Sequence, residues 1–162
     1  MSISKKVICI IMSFVFVFSF SACSGNGKEE TTTSAPASEF PIDKLTEAHL
    51  SGNGAVYDTC VSELVNERYI MTHAKVYKVE SRTRIGCGYS LYDDHWPLRY
   101  GDFKIDIADG QYDIISTLQD DDIIVFEGVL KHIRIRKHPH GYEWVDLTFS
   151  DAIIKSVNGT DV

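Results

Sequence analysis

The sequence predicts a mainly β fold with an N-terminal helix (α+β), centred on a small five-stranded Greek-key barrel. Three observations carry that expectation. Apolar residues recur about every four positions over "AVYDTCVSELVNERY", and from Tyr69 onward the period changes to two. Turn signals, among them Asp109-Gly110, divide the second region into short strands. One strand, "DIIVFEGVLKHIRIRKH", must gain a residue in its middle to keep its apolar face inward.

The helical region runs from Ile42 to Asn66. Val56, Cys60, Leu64 and Val65 form its apolar stripe, and "SGNG" at Ser51 to Gly54 breaks it from a shorter helix over "PIDKLTEAHL". "RYIMTHAKVYKVE" then reads as a half-buried strand with Ile70, Thr72, Ala74 and Val76 on one side. The next stretch, "SRTRIGCGYSLYDDHWPLRYGD", is rich in glycine and aromatics and reads as a loop or a poorly ordered hairpin. "FKIDI" is a clean strand ending at Asp109-Gly110, and "QYDIISTL" is a short strand or one helical turn.

In the bent strand, Ile124, Phe126, Gly128 and Leu130 share a face, and so do Ile133 and Ile135. Leu130 and Ile133 are three apart, so a bulge is expected at Lys131 or His132. "HPHGY" suits a three-residue hairpin connection, with Pro139 at the first turn position and Gly141 left-handed. That turn pairs Ile135 with Val145 and Ile133 with Leu147 inside, and Arg136 with Trp144 and Arg134 with Asp146 outside. The last strand covers "YEWVDLTFSDAIIKSV", with Val145, Leu147 and Phe149 inward.

Five such strands, one bent, with a short helical element before the fourth, fit the OB-like barrel. The segment from Tyr69 to Val157 resembles the OB-fold domains of exported bacterial proteins related to the tRNA-anticodon-binding type. "AKVYKV", "LQDDDIIVFEGVL" and "DLTFSDAIIKS" carry the likeness. The resemblance implies a helix before the first strand and a strand ending in glycine, here Gly128. The glycine-aromatic stretch after the first strand departs from the simplest form of that family.

The first forty residues have a different character. Lys5 and Lys6 precede the apolar run "VICIIMSFVFVFSF" and the small-residue step Ser21-Ala22-Cys23, the order of a secretory signal over residues 1–22. The run is too short for a spanning helix, which needs about 20 residues. "FSAC" resembles the lipobox of bacterial lipoprotein precursors, although Phe20 stands where that family prefers an aliphatic residue. The resemblance implies a diacylglyceryl group on Cys23 and palmitate-type acylation. Residues 23–40, rich in Ser, Thr, Gly, Ala and Glu, follow as a flexible tether. Residues 41–68 are the helical lead-in and 69–162 the barrel. The expected setting is the outer face of a bacterial cell membrane, with lipid as the anchor.

The formal charge is -7; the first 22 residues hold two lysines and no acid, so the remainder carries -9. Such a balance argues against general polyanion or nucleic-acid binding, which rests on clustered cations. Of four cysteines, Cys9 lies in the signal and Cys23 is the lipidation site. Cys60 and Cys87 are left as a disulfide permitted by export or as two partly buried thiols.

"KHIRIRKHPHGYEW" supplies the candidate ligand-binding residues Lys131, Arg136, Lys137, His138, His140 and Trp144. The competing account is a cross-paired solvent face in which Trp144 and Asp146 occupy the arginines. His132, His138 and His140 lack a carboxylate or cysteine at familiar metal-site spacing, so no metal or cofactor is expected. No nucleophile motif, phosphate loop or dinucleotide fingerprint occurs. The chain therefore reads as a membrane-anchored binding module for an envelope protein, polymer or lipid headgroup. The alternative is an extracytoplasmic hydrolase or metal-dependent enzyme using "YDDHW", Tyr92 to Trp96.

Overall fold

In the computed structural model, which describes residues 37–89, 98–137, 139 and 141–162, the change of period becomes a change from helices to one curled sheet. The elements in chain order are β1 (Ser38–Glu39), α1 (Ile42–Leu50), α2 (Gly54–Leu64), β2 (Arg68–Ser81), β3 (Arg84–Tyr89), β4 (Leu98–Ile107), α3 (Tyr112–Thr117), β5 (Ile123–Lys137), β6 (Glu143–Val157) and β7 (Thr160–Asp161). The expected signal, Cys23 and the expected tether up to residue 36 lie outside the described residues, as do Tyr92 to Trp96.

Strand β2 pairs with β3 on one side and β5 on the other, so the order β2-β3-β4-β6-β5 returns to β2 and closes a five-stranded barrel. All its pairings are antiparallel except β4 with β6, which is parallel. Closure needs bends, and the long strands supply them. In the β5–β6 ladder the register shifts between Leu130 and His132, where the three-residue apolar spacing predicts a bulge. Beyond it the pairs are Ile133↔Leu147, Arg134↔Asp146, Ile135↔Val145 and Arg136↔Trp144, the register expected from the hairpin tip. Gly141 has φ +89°, the left-handed conformation that connection requires.

Other expectations need correction. Strand β2 buries Tyr69 and Met71, then Ala74 and Val76, because its pairing with β5 shifts between Met71 and Ala74. The bulge changes the alternation, so Ile70 and Thr72 do not share the inward face of Ala74. Of the two readings of the glycine-aromatic stretch the hairpin is the one realised: "RIGCGY" forms β3, with Ile85 and Cys87 fully buried, antiparallel to β4, which begins at Leu98, five residues before "FKIDI". On α2, Cys60 and Leu64 are buried but Val56 is exposed. "QYDIISTL" resolves to helix α3, which buries Ile115.

The barrel interior is built on Phe103, Phe126 and Phe149, all fully buried. Phe149 meets the other two edge to face, at 6.5 Å from Phe103 and 5.0 Å from Phe126. Gly128 lets β5 cross close to β6: a Cβ there would lie 3.2 Å from Ala152 and 3.3 Å from Phe149. Cys60 and Cys87 are both buried and free, so the disulfide alternative is not realised. Burial pushes the Cys87 thiol up to about 12.

Candidate functional site

A cleft of about 830 Å³ opens at one rim of the barrel, where β4 and β6 begin and β3 ends. Its third wall is the segment from Glu39 to Asp43. The sequence positions that wall through β1, which lies parallel to the start of β2 with Ser38 beside Tyr69 and Glu39 beside Ile70. Phe40 follows at once and is buried, packing edge-on against Tyr69 at 5.5 Å and toward Tyr100 at 6.3 Å. Pro41 and Ile42 then start α1, whose last turn is tied back by a hydrogen bond between His49 Nε2 and the Glu143 carboxylate at the start of β6.

Aromatic rings form the walls. Tyr89 and Tyr100 lie 4.4 Å apart between centroids, and Tyr142 and Trp144 lie 5.9 Å apart at 45°. The Arg99 guanidinium lies 4.6 Å over the Tyr142 ring. Burial pushes the Tyr100 phenol well above its usual range, so it remains a neutral hydroxyl; it donates to the Phe40 carbonyl at 3.5 Å.

Glycines leave part of the cleft without side chains. Gly88 and Gly101 both line it, and a Cβ added at Gly88 would meet nothing within 4 Å. Gly101 is different, because the Asp146 carboxylate occupies the space beside it. Tyr100 pairs with Val145 and Phe103 with Leu147, so Gly101 and Asp102 together face Asp146 across a bulge. Asp146 accepts the Asp102 backbone N–H at 3.1 Å and holds Arg136 through both oxygens, Nη2 to Oδ1 being 2.8 Å and Nε reaching Oδ2. Arg136 Nη2 also donates to the Asp102 carboxylate at 2.9 Å. These contacts hold the guanidinium above its ordinary range, the hydrogen bond to Asp146 contributing most.

The basic stretch is therefore distributed over several environments. Arg136 lies 5.2 Å over Trp144 as expected, but its fork also takes Asp146, the acid assigned to Arg134. A bidentate grip that also reaches Asp102 binds better than the directly opposite pairing. Arg134 is exposed and has no ion pair among the described residues. Lys131 sits at the bulge, 3.4 Å from Asn66 Oδ1, and Lys137 is exposed opposite Glu143. His138 and His140 lie outside the described residues. Of the candidate residues that are described, Trp144 alone lines the cleft, and Arg136 adjoins it through Asp102.

Tyr89, Arg99, Tyr100 and the Glu39–Asp43 wall escaped the sequence reading. Tyr89, Arg99 and Tyr100 fall in the stretch that reads as a loop or poorly ordered hairpin and Glu39 in the expected tether, and only barrel closure brings them together. Among the described residues no group of three or more His, Cys, Asp or Glu is placed to hold a metal. No known family model matches the chain, and no curated protein matches it.

Proposed function

We propose that this protein is an extracytoplasmic lipoprotein, anchored through Cys23 and carrying an OB-like binding module whose ligand seat is the cleft. The address rests on the basic start, apolar run and "FSAC" step. The OB-like reading is supported by the closing order β2-β3-β4-β6-β5, by the parallel β4–β6 pair and by α3 between β4 and β5. The observation that carries the binding function is the cleft itself: rings on its walls, bare backbone at Gly88 and a volume within the roughly 300–1,000 Å³ of small-molecule seats.

The module then acts outside the cell, at the end of a tether, on an envelope component. Its acidic balance selects against nucleic acid. Fractionation tests the anchor: Cys23→Ala should release the protein from membranes, and a variant that stays membrane-bound refutes it. Retention on isolated envelope material tests the seat. Trp144→Ala should reduce it several-fold with the far-ultraviolet circular dichroism unchanged; retention equal to that of the parent protein removes the cleft from consideration.

A further inference from the structure

We infer that Ser38 to Phe40 form a detachable strap, held by the Phe40 ring and pivoting at Pro41, whose release joins the cleft to a second cavity. The inference rests on the binding-module reading and deepens it by giving the seat two sizes, but its test needs no ligand.

Two cavities share this segment. Glu39, Phe40 and Tyr100 line the cleft, and the same three residues line a cavity of about 230 Å³ that reaches Ile70 to His73 of β2. The strap is the partition between them. It is short: β1 has two residues, both exposed, and among the described strands it pairs only with β2. On that edge of β2, β1 stops at Ile70 and β3 ends opposite Ala74, so no described strand covers Met71 to His73.

Phe40 carries the attachment. Among residues 37–41 it alone is buried, with its ring edge-on to Tyr69 at 5.5 Å and its carbonyl accepting the Tyr100 hydroxyl at 3.5 Å. One ring and a two-residue bridge must offset the entropy of ordering the segment, the balance found in parts that open locally while the rest stays folded. Helix α1 is held far more firmly. Leu45, Thr46 and Ala48 are buried, Lys44 pairs with Glu63 of α2, and His49 bonds Glu143 of β6.

Between strap and helix, Pro41 has φ -82° and ψ 73°, and the Ile42 N–H donates to the Phe40 carbonyl at 2.9 Å. This is an inverse γ-turn, which reverses the chain within one residue. The strap can therefore leave while α1 stays in place. Release takes Glu39 and Phe40 from between the cavities and uncovers Met71, which is 3 % exposed when the strap is docked. The seat then extends along β2 toward His73 and admits a longer ligand.

Hydrogen peroxide footprinting of the full chain tests the strap, with Met71 sulfoxide read by peptide mapping. Glu39→Cys with Ile70→Cys locks the strap as a disulfide, since the two positions are neighbours in the parallel register. Glu39→Ser with Ile70→Ser is the unlocked control. The lock should slow Met71 oxidation at least about tenfold against that control, and Phe40→Ala should speed it by a similar factor over the parent protein. Alkylation of the fully buried Cys87 by iodoacetamide needs the barrel itself to open, and should not follow these changes.

Equal Met71 oxidation in locked and control proteins overturns the inference. So does a response of Cys87 that parallels Met71 in every variant, because the strap then moves only with global unfolding. The binding-module reading is decided separately by envelope retention of Trp144→Ala. Lock-dependent oxidation with retention indifferent to Trp144 keeps the strap and removes that reading; the opposite pair of results removes the strap alone.

Discussion

The Asp146 carboxylate stands where a side chain on Gly101 would have to go. The same carboxylate caps the Asp102 amide and grips Arg136, so one acid holds together a bulge, a neighbouring strand and the edge of the cleft. Gly101→Ala should therefore displace Asp146 and destabilise the protein by about 1–3 kcal/mol, the range for forced overpacking. Urea denaturation measures it. Unchanged stability would mean that the bulge relaxes without cost.

The barrel interior predicts a larger effect. Phe149 is fully buried and touches both Phe103 and Phe126 edge to face. Phe149→Ala should cost about 3–5 kcal/mol, because the closed sheet cannot collapse around the lost ring. Phe149→Leu, which keeps most of the volume, should cost less than half as much in the same urea titration.

The buried thiols make a chemical prediction. Cys87, pushed up to about 12 by burial, has almost no thiolate at pH 8, and burial also raises Cys60. Neither should be alkylated by iodoacetamide in the native protein, and both should react once urea unfolds it. Peptide mapping by mass spectrometry reads each site separately. A Cys60–Cys87 disulfide peptide without reductant would contradict the structure.

Asp122 predicts a pH dependence. Its carboxylate accepts the Gln119 backbone N–H and the Asn158 amide, both at 2.8 Å, and these hold its pKa below 3.8, the ordinary value, with the backbone bond contributing most. A depressed folded-state pKa gives stability that is present above the unfolded value and is lost as pH falls through the folded one. The parent protein should thus lose urea resistance below about pH 4. Asp122→Ala should be weaker at pH 7 and should lose less on acidification; an identical acid limb in both would rule out this contribution.

The sequence by itself determined the class of fold and much of its register. The three-residue step from Leu130 to Ile133 allows no unbroken period-two strand, so the bulge follows from one local mismatch. The Pro139–Gly141 turn sets the pairing down to Ile133↔Leu147, because loop length and turn type decide register locally. The β2 bulge near Thr72 left no such mark: Ile70 and Met71 are both apolar, and either phase buries one of them. Strand β3 was hidden for a related reason, since its outward positions Gly86 and Gly88 resemble turn residues until a ladder pairs them.

Only the tertiary structure decided which aromatic and charged residues share a site. Glu39, Tyr89, Arg99 and Trp144 come from four segments of the chain, and the closing of β2 on β5 and the parallel approach of β4 to β6 put them around one cleft. The choice of Asp146 by Arg136 over Arg134 depends likewise on Asp102 arriving from β4. Local patterns record which way a side chain points along its own strand. Partners across a closed barrel are set by long-range pairings, and the period of any one segment carries no trace of them.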